Sequence, residues 1–132
     1  MAVTSTPIHI QTPKNASVQL TATANTNVDG TTGTYTTVMT AGANGSKIER
    51  IRINTVGTTV AEKVRLFVGG KLFDEYLFAA VTPSNTVKII SQEIDCSQAG
   101  NALILAANVV MIANVNTGTS ALINVHVFYG DY

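Results

Sequence analysis

The residues able to do chemistry are few. Cys96 directly follows Asp95, and the histidines are His9 and His126. A thiol beside a base makes a nucleophile, and an imidazole near neutral pH can serve as that base or ligate a metal. Neither pattern is assembled in the chain. Cys96 sits in the turn-like run Asp95-Cys96-Ser97-Gln98-Ala99-Gly100-Asn101 and reads as a small turn residue. His9 lies among prolines and threonines, and His126 shares a strand side with Asn124 and Phe128, so both read as structural or interface histidines. The carboxylate groups Asp74-Glu75 and Glu93/Asp95 lack the Asp-x-Asp-x-Asp spacing of a calcium loop and show no diagnostic glycosidase spacing. Gly42-Ala43-Asn44-Gly45-Ser46-Lys47 misses the spacing of a phosphate-binding loop, and no Cys/His grouping has zinc spacing. The expectation is a protein that is not an enzyme, with no catalytic residue, cofactor or metal.

Composition limits the partners. Eight basic and eight acidic residues give a formal charge of zero, so no field steers the chain to nucleic acid or to an anionic membrane, and neither is expected as a partner. Charged residues make up 12% of the chain, against about 25% in an ordinary soluble domain. Much of the surface must then be Thr, Asn, Ser and Gln, which suits a surface covered by another protein. A length of 132 residues fits one domain able to bury roughly two thirds of its unfolded surface. The first seven residues hold neither a basic segment nor an apolar one, so no secretory signal is expected, and synthesis in the cytoplasm of the producing cell is the expectation. The apolar run from Ala102 to Val115 is interrupted by Asn108 and falls short of the about 20 residues of a membrane span.

The elements that would position these residues are strands. Residues 1–14, with Pro7, Pro13 and the Ile8-His9-Ile10 core, read as an extended arm, and residues 15–132 as the folded domain. Ala16, Val18, Leu20, Ala22 and Ala24 alternate with polar residues, as a strand buried on one side requires. Asn25 to Gly33 reads as an exposed, mobile loop with an Asp-Gly turn signal. Thr40 to Ser46 is a joint of small residues between two strands, the second placing Ile51 and Ile53 opposite Arg50 and Arg52. Gly42, Asn44 and Gly45 offer the positive φ a reversal needs. Gly69-Gly70 predicts a two-residue hairpin that pairs Arg65 with Asp74, Phe67 with Leu72 and Leu66 with Phe73, the charged pair lying exposed. The β-branched residues between Ala102 and Val115 favour a strand, or two strands broken near Asn108. About eight strands with turns between them predict an all-β fold, a single antiparallel β-sandwich of jelly-roll type behind an extended N-terminal arm.

In wording, the segment Thr40 to Ile53 resembles small β-rich structural proteins of tailed-phage virions, the capsid decoration or cement proteins. Weaker likeness extends to Ile8–Pro13 and to Tyr129-Gly130-Asp131. The resemblance implies a structural protein on the capsid exterior that clamps major capsid protein subunits noncovalently and self-associates, with a trimer favoured. A tail, neck or fibre-attachment component is the alternative on the same virion. A carbohydrate-binding sandwich is a further one, disfavoured by 6% aromatic residues and no Trp. Residues expected at the partner interface are Ile8, His9 and Ile10 of the arm, Phe67 and Leu72 as an apolar spot beside the hairpin, and His126 and Phe128 of the last strand.

Overall fold

A computed structural model describes residues 12–20, 23–96, 103–116 and 122–132, and every element among them is a strand or a turn. The strands are β1 (Thr12–Gln19), β2 (Thr36–Thr40), β3 (Ser46–Val56), β4 (Glu62–Val68), β5 (Lys71–Phe78), β6 (Ser91–Asp95), β7 (Leu103–Leu105), β8 (Val110–Val115) and β9 (Leu122–Asp131). Their pairing is nested about a single turn. Gly69 and Gly70, at φ of 60° and 77°, reverse the chain between β4 and β5. Outward from that turn β3 pairs with β6 and β7, β2 with β8, and β1 with β9, each antiparallel. This long ribbon then rolls up, so that β9 also joins β3 and β8 joins β4. The result is two sheets, β1-β9-β3-β6 with β7 on the same edge of β3, and β2-β8-β4-β5. Nested hairpins rolled into two facing sheets are the jelly-roll sandwich expected from the sequence.

Alternation decides what fills the space between the sheets. Val18 and Leu20, then Ile51, Ile53, Val64, Leu66, Met111, Ala113, Val125 and Val127, point inward and form one core. The apolar run after residue 102 divides as expected: β7 ends at Leu105, Asn108 turns the chain at φ 62°, and β8 begins in the other sheet. Leu105, Met111, Ala113 and Val115 are thereby buried in the sandwich, while Ile104 is left 61% exposed.

Bulges produce the departures from simple alternation. Ile48 would share a side with Arg50 in a regular strand. A register shift between Ile48 and Arg50 turns Ile48 inward, where it is fully buried. A second shift, at Phe73, corrects the expected hairpin register. Phe67 does face Leu72, but Arg65 pairs with Glu75 in place of Asp74, and Leu66 pairs with Asp74 in place of Phe73. The extra residue is accommodated one step past the glycine turn, where composition gives no sign of it. Strand β1 begins at Thr12, so residues 12–14 pair with β9 although the sequence assigned them to the arm.

The joint of small residues bridges the sheets between β2 and β3. There Gly45 alone takes the positive φ expected of the trio, at 92°. Its Cβ would stand 2.7 Å from the Leu105 carbonyl oxygen, and a Cβ on Gly42 would stand 2.7 Å from the Asp131 carboxyl carbon. Asp131 is held there by Ser46 Oγ at 2.5 Å and by Lys14 Nζ at 2.6 Å.

Candidate partner-binding surface

The outer face of β1-β9-β3-β6 is a grid set by register. Its first row runs Asn15, Phe128, Arg50, Asp95, its second Ser17, His126, Arg52, Glu93, and its third Gln19, Asn124, Asn54, Ser91. Because side chains in one row stand side by side, cross-strand chemistry fixes their orientation. The Arg50 guanidinium lies 4.7 Å from the Phe128 ring centroid, as a cation over an aromatic face does. Arg52 donates to Glu93 Oε2 from Nη2 at 2.8 Å and from Nε at 3.2 Å, and Arg50 Nη1 stands 3.4 Å from Glu93 Oε1. The hydrogen bonds from Arg52, with the charge of Arg50 beside them, hold the Glu93 carboxyl below the usual carboxylate range. Shallow depressions of about 250 and 290 Å³ lie on either side of Phe128, one bordered by Glu49 and Asp95, the other by Ile89 and His126. This face is largely polar, its side chains oriented by cross-strand contacts, with the Phe128 ring in its first row.

Ser17 Oγ and His126 Nδ1 are 2.9 Å apart, the separation of a nucleophile and its base. The neighbour of His126 on its other side is Arg52, a cation, where a triad would place a carboxylate to orient the ring. Cys96 is buried at the sheet margin, and burial, with Asp95 and Glu49 near it, pushes its thiol up, away from the reactive thiolate. Among the described residues no three His, Cys, Asp or Glu side chains gather as a metal site would need.

The interface residues expected from the sequence separate into three groups. His126 and Phe128 stand together on the grid. Leu72 lies at the hairpin end of the other sheet, 40% exposed, beside Phe73 at 41%. Ile8, His9 and Ile10 lie outside the described residues. Phe67 is a correction: it is fully buried on the outer side of its sheet. The loop expected to be exposed and mobile explains this burial, because it crosses that side as a folded strap.

Within the strap, Asn25 Nδ2 donates to the carbonyls of Thr32 and Thr34, and its Oδ1 accepts from the backbone and side chain of Asn27. Asp29 accepts from the backbone N–H groups of Thr31 and Thr32 and from the Thr32 hydroxyl, and these bonds push its pKa far down. So anchored, the strap sets Tyr35 edge-on to Phe67, ring centroids 5.2 Å apart, and receives Asn114 Nδ2 at the Asn27 carbonyl. Gly30 comes so close to the hairpin turn that a Cβ would stand 2.3 Å from the Gly70 carbonyl oxygen. The Asn-x-Asn-x-Asp spacing is the sequence signal for this folded strap, since such side chains bond their own backbone two or three residues on.

The sequence reading also missed Glu62. It precedes Val64 and Leu66 on the inward side of β4, is 4% exposed, and among the described residues has no partner at either carboxylate oxygen. Burial raises its pKa. In an alternating pattern it occupies a core position, which was the available signal.

Pairing order places the chain in the class of jelly-roll sandwiches. No protein family and no curated protein sequence matches it. Among solved structures it is similar in fold to a chain in the acidic stable capsid structure of Helicobacter pylori bacteriophage KHP30, with a TM-score of 0.52 and 11% identity. That alignment covers 94% of this chain and 97% of the other.

Proposed function

We propose that this chain is a structural protein of a tailed-phage virion, without enzymatic activity, that sits on the capsid exterior and stabilises the shell by binding across major capsid protein subunits. One observation carries the reading: the fold is shared, over nearly the full length of both partners, with a chain in a phage capsid structure. Three features of the molecule agree with it. Charge on the grid balances, Arg50 and Arg52 against Glu93 and Asp95, with Glu93 paired to both arginines, so a partner protein would meet no net charge there. The ring of Phe128, set among polar side chains, provides an aromatic anchor. Leu72 and Phe73 belong to the other sheet, so one copy has two surfaces with which to contact two neighbours.

Many copies bound to a regular lattice gain avidity from modest individual contacts, and self-association, as a trimer, would add to it. Attachment is tested by co-sedimentation with capsids lacking this protein. Wild-type chain is expected to pellet with the particles, and Phe128→Ala to pellet less. A wild-type chain that stays in the supernatant refutes the capsid reading. Cryo-electron microscopy of the loaded particles then shows which subunit junction is spanned.

A further inference from the structure

We propose that the tip of the β4–β5 hairpin is the contact between two copies of this chain, set antiparallel about a two-fold axis, with Lys71 of each facing Asp74 of the other and Leu72 facing Phe73. β5 is the last strand of its sheet, so its side away from β4 is an edge. The two halves of that edge differ. Tyr76 and Phe78 are buried, and Gln92 Nε2 donates across to the Leu77 carbonyl, which ties the far half to β6. From Lys71 to Glu75 five successive residues are exposed, although successive side chains of a strand point to opposite faces. The hairpin is therefore uncovered on both faces near its turn.

Charge separates this tip from the rest of the hairpin. Glu75 holds Arg65 Nε at 2.9 Å and Lys63 Nζ at 3.5 Å, so the charges of that outer row meet one another. Lys71 and Asp74 stand in no ion pair among the described residues; Asp74 Oδ1 accepts the backbone N–H of Glu75 at 2.8 Å. Register places the two on one side: Lys71 pairs with Val68 and Asp74 with Leu66, two positions apart on β4, because the extra residue Phe73 lies between them. In a regular strand, residues three apart would face opposite sides. Leu72 pairs with Phe67 on the other side and is 40% exposed, and Phe73 is 41% exposed.

The order Lys71-Leu72-Phe73-Asp74 selects the occupant. Laid antiparallel against itself, it sets cation against anion at both ends and apolar against apolar in the middle, and the charged residues share a side as facing residues of an antiparallel pair must. Self-complementarity of this kind is what a two-fold contact requires. An unrelated extended segment fits less well, because the bulge breaks the even row of backbone groups that an added strand would pair with. Side chains, and not a continued ladder, make the contact.

The contact rests on the reading that one copy meets a neighbour through Leu72 and Phe73, and it names that neighbour as a second copy; copies already joined as trimers would be linked in pairs. Sedimentation velocity over a concentration series tests it on the isolated chain. Wild-type protein should show a concentration-dependent step that joins copies in pairs. Lys71→Asp and Asp74→Lys each set like charges face to face at both ends, so each should raise the dissociation constant of that step at least about tenfold. The double variant Lys71→Asp/Asp74→Lys should restore it, and so should an equimolar mixture of the two single variants, in which every facing pair again has opposite signs. Lys88→Asp, the same change of net charge at an exposed residue outside the hairpin, should leave the step as it is. A wild-type chain that never pairs, single variants that pair like wild type, a mixture that stays apart, or an equal effect of Lys88→Asp would overturn the contact. Loss of the contact with capsid co-sedimentation intact would leave the virion reading standing, whereas a failure of co-sedimentation with the charge pattern obeyed would strike that reading alone.

Discussion

Gly30→Ala and Gly57→Ala form a matched experiment on the strap. Both glycines hold nearly the same backbone, φ 77° and 79°, so alanine at either meets the same left-handed penalty of about 1 to 2 kcal/mol. Their surroundings differ. A Cβ at residue 57 meets nothing within 4 Å, whereas at residue 30 it would stand 2.3 Å from the Gly70 carbonyl oxygen, backbone against backbone. Neither atom can turn away as a flexible side chain would, so the strap must lift from the hairpin. Lifting it uncovers Phe67, and re-exposing a side chain of that size costs about 1.5 to 3 kcal/mol. Gly30→Ala should therefore destabilise by about 2.5 to 5 kcal/mol and Gly57→Ala by about 1 to 2 kcal/mol. In urea, where small proteins lose about 1 to 3 kcal/mol per molar, the two midpoints should differ by on the order of 1 M. Equal midpoints would refute the claim that the strap is braced on the hairpin turn.

Other outcomes follow from named groups. Arg65→Ala removes a side chain that is 10% exposed and donates to Glu75, so it should cost about 1.5 to 3 kcal/mol in urea unfolding; a loss below about 0.5 kcal/mol would show that the pair behaves as an ordinary surface contact. Acid should destabilise through Glu75, Glu93 and Asp131, whose folded pKa values lie below their unfolded ones, so their contribution is present above about pH 4.5 and fades as pH falls through the folded values. Glu62 has the opposite sign. Its folded pKa is raised above the usual 4.5, so stability is lost as pH rises from there towards the folded value, and Glu62→Gln should gain more over wild type at pH 7 than at pH 4. A gain of equal size at both values would show that the buried carboxyl does not titrate differently on folding. Native Cys96 should react with an aromatic disulfide reagent far more slowly than in 8 M urea, a reagent concentration of about that order exposing the full chain; equal rates would contradict its burial. Removing residues 1–11, ahead of β1, should leave the melting temperature unchanged while weakening capsid attachment, and unchanged attachment would assign the binding to the sandwich alone.

Most of the fold was legible because a sandwich writes itself as alternation. Ile51/Ile53 against Arg50/Arg52 and the break at Asn108 each correspond to strands seen in the molecule. Alternation tells which way a side chain points and not what lies over it. Phe67 looked exposed for that reason: it does point out of the sandwich, but the strap and Tyr35 cover it. Bulges at Glu49 and Phe73 were illegible because one extra residue leaves no compositional mark. The stretches Ile8–Pro13, Thr40–Ile53 and Tyr129–Asp131 are informative in another way. Thr12 and Pro13 pair with Asp131 and Gly130, which pair in turn with Ser46 and Lys47, so parts of all three meet in one corner. That corner is tied by Ser46, Lys14 and Asp131 and is a piece of architecture, while His126 and Phe128 stand farther along the same sheet.

The nested ribbon also dictates an order of assembly in time. The β4–β5 hairpin closes across two glycines, whereas β1 must find β9 across most of the chain. Loop-closure entropy makes the inner hairpin the least demanding pair to form, and each further pair is shortened by the one inside it. A chain dominated by such distant pairings folds slowly, in about milliseconds to seconds, and the pair that carries Ser17, His126 and Phe128 closes the longest loop of the ribbon. The grid is then completed only when the whole roll has closed, so a half-folded copy has no finished face to offer a partner.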